Sequence, residues 1–185
     1  GPLARGSVPG SSPIPFTARR KDEGSPRDLD AAARMHLLEQ VLDQAACIDI
    51  EVASIDEMAP ILEKINARKI PWVASWHDFT RLPETAVLKE AAVRAEKAGA
   101  AAFKAAAKLA TPADMARLAE FQLMDHGLPV STMGMGPLAP VSRLLCAQSG
   151  SVLNYGYLGE TPTAPGQWDS ALLKAAIARL VPLEG

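Results

Sequence analysis

A chain whose short apolar runs alternate with longer amphipathic ones has few folds open to it. From Pro13 onward that alternation repeats every roughly 23 to 34 residues, the rhythm of strand-plus-helix units. Strands are predicted near Ile14 to Ala18, Cys47 to Ala53, Ile70 to Ser75, Ala100 to Ala106, Leu128 to Met133 and Val152 to Tyr157. Helices are predicted between and after them, near Leu29 to Asp43, Ile55 to Ala67, Pro83 to Ala98, Pro112 to Met124, Pro137 to Ala147 and Ser170 to Leu180. Thr111 before Pro112, with Asp114 in the first turn, has the chemistry of a helix start. Gly99 and Gly127 have that of helix ends. Lys89 to Leu109 is alanine-rich enough for one long helix, but Gly99 and the apolar run Ala100 to Phe103 favour a break and a buried strand.

Strands alternating with helices pack as a parallel sheet with right-handed crossovers. Six such units make an open α/β sheet or most of a (β/α)8 barrel, and in both the chemistry sits at the C-terminal ends of the strands.

Composition removes several classes. The 185 residues are 48% hydrophobic, which excludes a disordered chain and gives one domain length enough for a core. A net charge of −2 without a basic block argues against nucleic acid as a partner. Apolar stretches are broken every few residues by charge or proline, so no membrane span is expected. Cys47 and Cys146 are far apart and outside any C-x-x-C pair, which points to neither a disulfide framework nor a cysteine zinc site and suits a reducing, cytoplasmic setting. The opening GPLARGSVPGSS reads as a protease-cleavage scar and linker over residues 1–12, leaving 13–185 as the folded domain.

Several polar residues fall where a parallel sheet is usually covered. Asp49 and Glu51 lie inside the second predicted strand, and buried carboxylates need partners. The competing reading has either one at a strand end, meeting a surface lysine. His77, between Trp76 and Asp78-Phe79, stands at the mouth of the third strand, where an imidazole can take and return a proton. His36 and His126, on a helix and at a helix end, read as structural. Lys104 is flanked by Ala101, Ala102, Phe103, Ala105 and Ala106. Desolvation lowers a lysine pKa, and a neutral amine forms imines with carbonyls; the competing reading is a helix-surface lysine like Lys97 or Lys108. Met133-Gly134-Met135-Gly136-Pro137 and Ser142-Arg143 offer close backbone approach and a two-pronged grip on a carboxylate. The G-x-G there lacks the rest of a nucleotide-binding motif. Thr161 to Gln167 offers hydroxyls and an amide, and Arg19 is a cation at the end of the first strand, before the charged loop Arg20 to Gly24.

Together these segments resemble type I 3-dehydroquinate dehydratase. The likeness runs through Phe16-Thr17-x-Arg19 with Glu23-Gly24, Ile48-Asp49-Ile50-Glu51, Ser75-x-His77-Asp78-Phe79, Lys104, Met133-Gly134, Ser142-Arg143, Gly150-Ser151 and Ala164-Pro165-Gly166-Gln167, in the family's order. The resemblance implies a TIM-type (β/α) barrel shortened to about six βα units. It implies that 3-dehydroquinate is converted to 3-dehydroshikimate through an imine on Lys104, with His77 as acid and base and Glu51 as the carboxylate that orients it. Arg19, Arg143, Gln167, Thr163 and Met133 would contact substrate. It further implies no metal or organic cofactor, a small-molecule substrate and a homodimer.

Three departures accompany the likeness. The family barrel has eight strands, and those lacking here come first, including one with a Glu-x-Arg motif. Thr163 stands where serine is usual, and Ala101-Ala102-Phe103 lacks an acidic residue common beside the lysine. A dehydratase-like module that binds quinate-type ligands or a protein partner is the competing function, which the retained lysine and histidine disfavour. Another Schiff-base lyase or aldolase fits the lysine but not the Ala-Pro-Gly-Gln loop.

Overall fold

The computed structural model describes residues 15–162 and 166–181. Five strands, β1 (Phe16–Thr17), β2 (Ile48–Glu51), β3 (Trp72–Asp78), β4 (Ala102–Lys108) and β5 (Val130–Met135), form one parallel sheet in sequence order. Helices α1 (Ala31–Glu39), α2 (Ala59–Ala67), α3 (Thr85–Lys97), α4 (Pro112–Leu123), α5 (Ala139–Gln148) and α6 (Ser170–Ile177) alternate with and follow them. This is the α/β arrangement of a partly built (β/α) barrel.

Period-two alternation gives the sheet two unlike faces. Ile48, Ile50, Trp72, Ala74, Phe103, Ala105, Ala107 and Val130 pack in one apolar core with Ile61 and Ile65 of α2, Leu88 and Ala92 of α3, and Leu118 and Phe121 of α4. The opposite face starts apolar, with Cys47, Val73 and Ala102 in contact, and turns polar toward the strand ends. Register brings Glu51 beside Ser75, Ser75 beside Lys104, and Lys104 beside Ser131.

The alanine-rich segment breaks as expected. Gly99 takes φ +83°, a left-handed conformation that ends α3, and β4 follows with Ala102 through Ala107 buried. Burial on both faces overrides the weak strand preference of alanine. Thr111 and Asp114 cap α4 reciprocally.

The first and last predicted strands differ from expectation. β1 keeps two residues: Pro15 has no N–H to add to the ladder, and the Ala18 carbonyl accepts from Arg34 Nε at 2.6 Å. Val152 to Tyr157 forms no strand of the sheet. Val152 N–H reaches the Val130 carbonyl at 3.2 Å, but the Leu153 carbonyl then accepts from the Ser131 and Ser151 hydroxyls, and the Tyr155 carbonyl from Arg143. Side chains thus occupy acceptors that a strand ladder would use. An isolated bridge between Tyr157 and Asp169 follows. α1 is shorter than predicted because the chain tightens after Glu39 into i to i−3 bonds, such as Val41 N–H to the Leu38 carbonyl. Val52–Ser54 form a 3-10 turn where the strand was predicted to run on to Ala53, and α2 begins at Ala59, one turn later than the predicted start at Ile55. Among the described residues no helix is long and apolar enough to cross a membrane.

Candidate active site

Three side chains converge on the polar face around one buried carboxylate. Asp49 Oδ2 accepts a hydrogen bond from Lys104 Nζ at 2.7 Å, Oδ1 accepts one from the Ser75 hydroxyl at 2.6 Å, and Arg19 Nη2 lies 3.1 Å from Oδ1. Lys104 is 5% exposed and Asp49 2%. Burial pushes the Asp49 carboxyl up, but Lys104 and Arg19 outweigh it and hold the group below the usual carboxylate range. Burial drives the Lys104 amine down; Asp49 resists and Arg19 adds to the fall. The amine also lies 4.6 Å from the centre of the Tyr155 ring, within cation–π range.

His77 sits two residues beyond Ser75 on the same face of β3. Glu23, from the loop after β1, accepts its backbone N–H at Oε2 at 2.9 Å and lies 2.9 Å from Nδ1 with the same oxygen. Arg19 Nη1 is 2.8 Å from Nδ1 and 3.2 Å from Nε2, and donates to the Ser75 hydroxyl at 3.2 Å. Burial, then the Lys104 and Arg19 cations, lowers His77 to about 2, so the imidazole is neutral. Burial and the nearby Glu51 charge raise Glu23 to about 8. The two groups are thus a neutral ring and a carboxyl that holds its proton at neutral pH.

Glu51 is bound elsewhere. Its Oε1 accepts the Arg20 backbone N–H at 2.9 Å, and its Oε2 pairs with Arg34. Arg34, 2% exposed on α1, also donates to the Ser54 hydroxyl at 2.9 Å and to Glu57 at 3.0 Å. The Glu51–Arg34 pair therefore fastens the segment after β1 to the end of β2, holding the loop that carries Glu23. The carboxyl that touches His77 is Glu23, while Glu51 Oε1 lies 3.9 Å from the Nη1 of Arg19, which itself reaches the imidazole. The surviving signal in the sequence is a glutamate four residues past the strand-end Arg19 and next to Gly24, whose φ is +102°.

The other expected contacts are placed unequally. Met133 lies on the same face as Lys104, and Arg143 Nη1 is 3.7 Å from its sulfur. That Nη1 also donates to the Tyr155 carbonyl at 2.7 Å, while Arg143 Nε is buried without a hydrogen-bond partner among the described residues. Gly134 leaves no room for a side chain, because a Cβ there would strike the Ser142 hydroxyl and Leu109. Gln167 is half-buried, and its neighbours Gly166 and Trp168 rest on the β5–α5 turn; Trp168 Nε1 donates to the Pro140 carbonyl at 3.0 Å. Thr163 lies outside the described residues. Arg19 is turned inward onto Asp49 and His77. His126 bonds the Phe121 carbonyl at 2.7 Å, and His36 pairs with Gln40 on the α1 surface.

A separate cavity of about 350 Å³ opens beside the start of α1, lined by Arg20, Asp22, Asp30, Arg34 and Glu57 among others. Its arginines are paired with its own carboxylates, Arg20 with Asp22 and Glu57, and Arg34 with Glu57. The convergent amine and imidazole lie apart from it.

Residues 5–180 match the family model described as type I 3-dehydroquinase. The 3-dehydroquinate dehydratase of Methanocella arvoryzae is 34% identical over 157 residues, 84% of this chain and 69% of that protein. That of a Geobacillus species is 30% identical over 173 residues, 89% of this chain and 66% of the relative. Among solved structures, 3-dehydroquinate dehydratase from Geobacillus kaustophilus superposes with a TM-score of 0.80 at 27% identity, covering 90% of this chain and 66% of that one. The enzyme from Aquifex aeolicus shares the fold, with a TM-score of 0.76 at 23% identity, covering 90% and 73%. The chain spans about two thirds of the length of these relatives. With a barrel segment of this topology and a match over nearly its whole length, the chain belongs to the type I 3-dehydroquinase family.

Proposed function

We propose that this chain is a 3-dehydroquinate dehydratase working through an imine on Lys104, with His77 as general acid and base and Glu23 as the carboxyl group that orients it. The supporting observation is one hydrogen-bonded cluster that joins the Lys104 amine, Asp49, Arg19, the His77 ring and Glu23. Family membership supports the substrate.

Neutral Nζ adds to the ketone carbon, and loss of water from the carbinolamine leaves a protonated C=N bond. His77 takes a proton from the adjacent carbon, whose electron pair becomes the C=C bond of an enamine. The nitrogen lone pair then reforms the iminium while the C=C electrons shift and expel the β-hydroxyl, which leaves as water with the proton from His77. A water molecule adds to the iminium carbon and releases 3-dehydroshikimate and Lys104. The net change is loss of one water from the substrate.

Burial above all, then the Lys104 and Arg19 cations, holds the His77 ring below its ordinary basicity. A substrate oxyanion that draws Arg19 away removes one of the two cations depressing it, which couples binding to activation of the base. Arg143, with a free buried Nε, Met133, Gln167 and Thr163 supply the remaining substrate contacts. The same reading takes the protein as a cytoplasmic homodimer without a cofactor, in keeping with two free, buried cysteines.

A second reading, a catalytically impaired module for quinate-type ligands or a protein partner, draws support from the same Arg19 contact. His77→Asn separates the two. Loss of about 10²–10⁴ in kcat with KM little changed supports the enzyme; absence of turnover in the wild-type protein alongside retained ligand affinity supports the module.

A further inference from the structure

We infer that Asp49 is a positioning residue for the reaction, acting through Lys104: its carboxylate holds the one N–H that survives in the iminium and so fixes the plane and the charge of the intermediate. The inference rests on the imine reading above. Substrate contact, proton transfer and nucleophilic attack assign Asp49 no task, yet it is the hub of the cluster.

The geometry supplies the argument. A primary ammonium carries three N–H bonds, but the nitrogen of a protonated ketimine carries one, in the plane of the C=N bond. Lys104 Nζ already donates to Asp49 Oδ2 at 2.7 Å, and the other carboxylate oxygen is locked by the Ser75 hydroxyl at 2.6 Å. An acceptor fixed on both oxygens selects the direction of the remaining N–H. That direction sets the imine plane, and with it the carbon whose C–H bonds face His77, two residues farther along β3 than Ser75. Buried anion and cation at this distance also stabilise the iminium over the neutral imine, the form that cannot serve as an electron sink. The groups facing Lys104 from neighbouring elements are Asp49 of β2, Cys47 just before it, Arg19 and Glu23 of the segment after β1, His77 of β3, and Tyr155. Of these carboxylates Asp49 is the one bonded to the amine and firmly ionised.

Asp49→Asn keeps an acceptor oxygen beside Nζ and removes the charge. Three changes are expected together. The alkaline limb of kcat moves to lower pH by about one unit or more, because the iminium gives up its proton more readily. kcat at neutral pH falls about tenfold or more, while borohydride still traps an adduct on Lys104 at mildly acidic pH. Labelling of Lys104 by trinitrobenzenesulfonate at neutral pH becomes faster, because burial and Arg19 then depress the amine unopposed. A residue that merely supported the fold would not make its neighbour more reactive while slowing turnover. Asp49→Glu retains the charge and keeps the wild-type alkaline limb.

An Asp49→Asn protein with an unshifted pH profile and unchanged Lys104 labelling overturns the inference. Where neither variant folds, the wild-type protein decides: the yield of trapped adduct holds steady from neutral to about pH 9 if the anion supports the iminium, and collapses over that range if it does not. A wild-type protein that turns over substrate but gives no Lys104 adduct at any pH brings down the imine reading itself, and this inference with it.

Discussion

Glu23 and His77 meet twice through one oxygen: Glu23 Oε2 accepts the His77 backbone N–H at 2.9 Å and lies 2.9 Å from the ring Nδ1. The double contact fixes both where the imidazole stands and how it turns. Glu51, two residues along β2 from Asp49, is committed instead to Arg34 and the Arg20 backbone.

The two glutamates should therefore respond differently to the same change. Glu23→Gln lowers kcat by about 10- to 100-fold with a small effect on KM, because the imidazole loses its orienting partner. Glu51→Gln removes the buried one of the two carboxylates that pair with Arg34, leaving Glu57, and costs about 1–3 kcal/mol of stability, with a smaller loss of kcat in the protein that remains folded. Steady-state kinetics and denaturant titration of both variants check this; equal kinetic losses without a stability difference would contradict it.

Stability should peak between acid and alkaline limits set by this pair. Glu23 is raised from 4.5 to about 8, so the folded state binds more protons than the unfolded chain across that window and stability falls as pH rises through it. His77 is lowered from 6.5 to about 2, so the unfolded chain binds more protons there and stability falls as pH drops below 6.5. Glu23→Gln should flatten the alkaline slope and His77→Asn the acid one. Urea denaturation across pH 5 to 9 measures both, and an alkaline slope untouched by Glu23→Gln would refute the assignment.

Arg143 should govern affinity more than rate. Its Nε is a buried donor without a partner among the described residues, and an ionised hydrogen bond to a carboxylate contributes about 1.5–3 kcal/mol. Arg143→Gln is expected to raise KM about 10- to 100-fold while kcat changes less. A kcat loss at constant KM would point to a role in the chemical step.

Much of this arrangement was legible in the sequence because local chemistry and tertiary packing agree. Gly99 marks the end of α3, Thr111 and Asp114 the start of α4, and the apolar flanks of Lys104 its burial in β4. The paired strands that carry Asp49, His77 and Lys104 follow from the same alternation. What escaped depends on contacts between distant, irregular segments. Glu23 reaches His77 across 54 residues from a loop without periodicity, so no pattern links them. Arg34 lies on α1 one turn before the buried Leu38, where apolar residues are the ordinary choice, and the burial of an arginine there is legible only once Glu51 is known to lie opposite. Val152 to Tyr157 has the composition of a strand, but serine hydroxyls from β5 and its neighbour take up the carbonyl that would have continued the ladder. Gly156 also lets the chain run close to Ser170, where a Cβ would lie 2.5 Å from the Ser170 Cα.

Reaction of the protein with 3-dehydroquinate followed by borohydride reduction, read by intact mass and peptide mapping, goes to the core of the proposal. A single stable adduct located on Lys104, absent from a folded Lys104→Met variant, is the predicted result. A folded wild-type protein that binds the compound yet carries no adduct would contradict the imine chemistry and leave the ligand-binding module as the better reading.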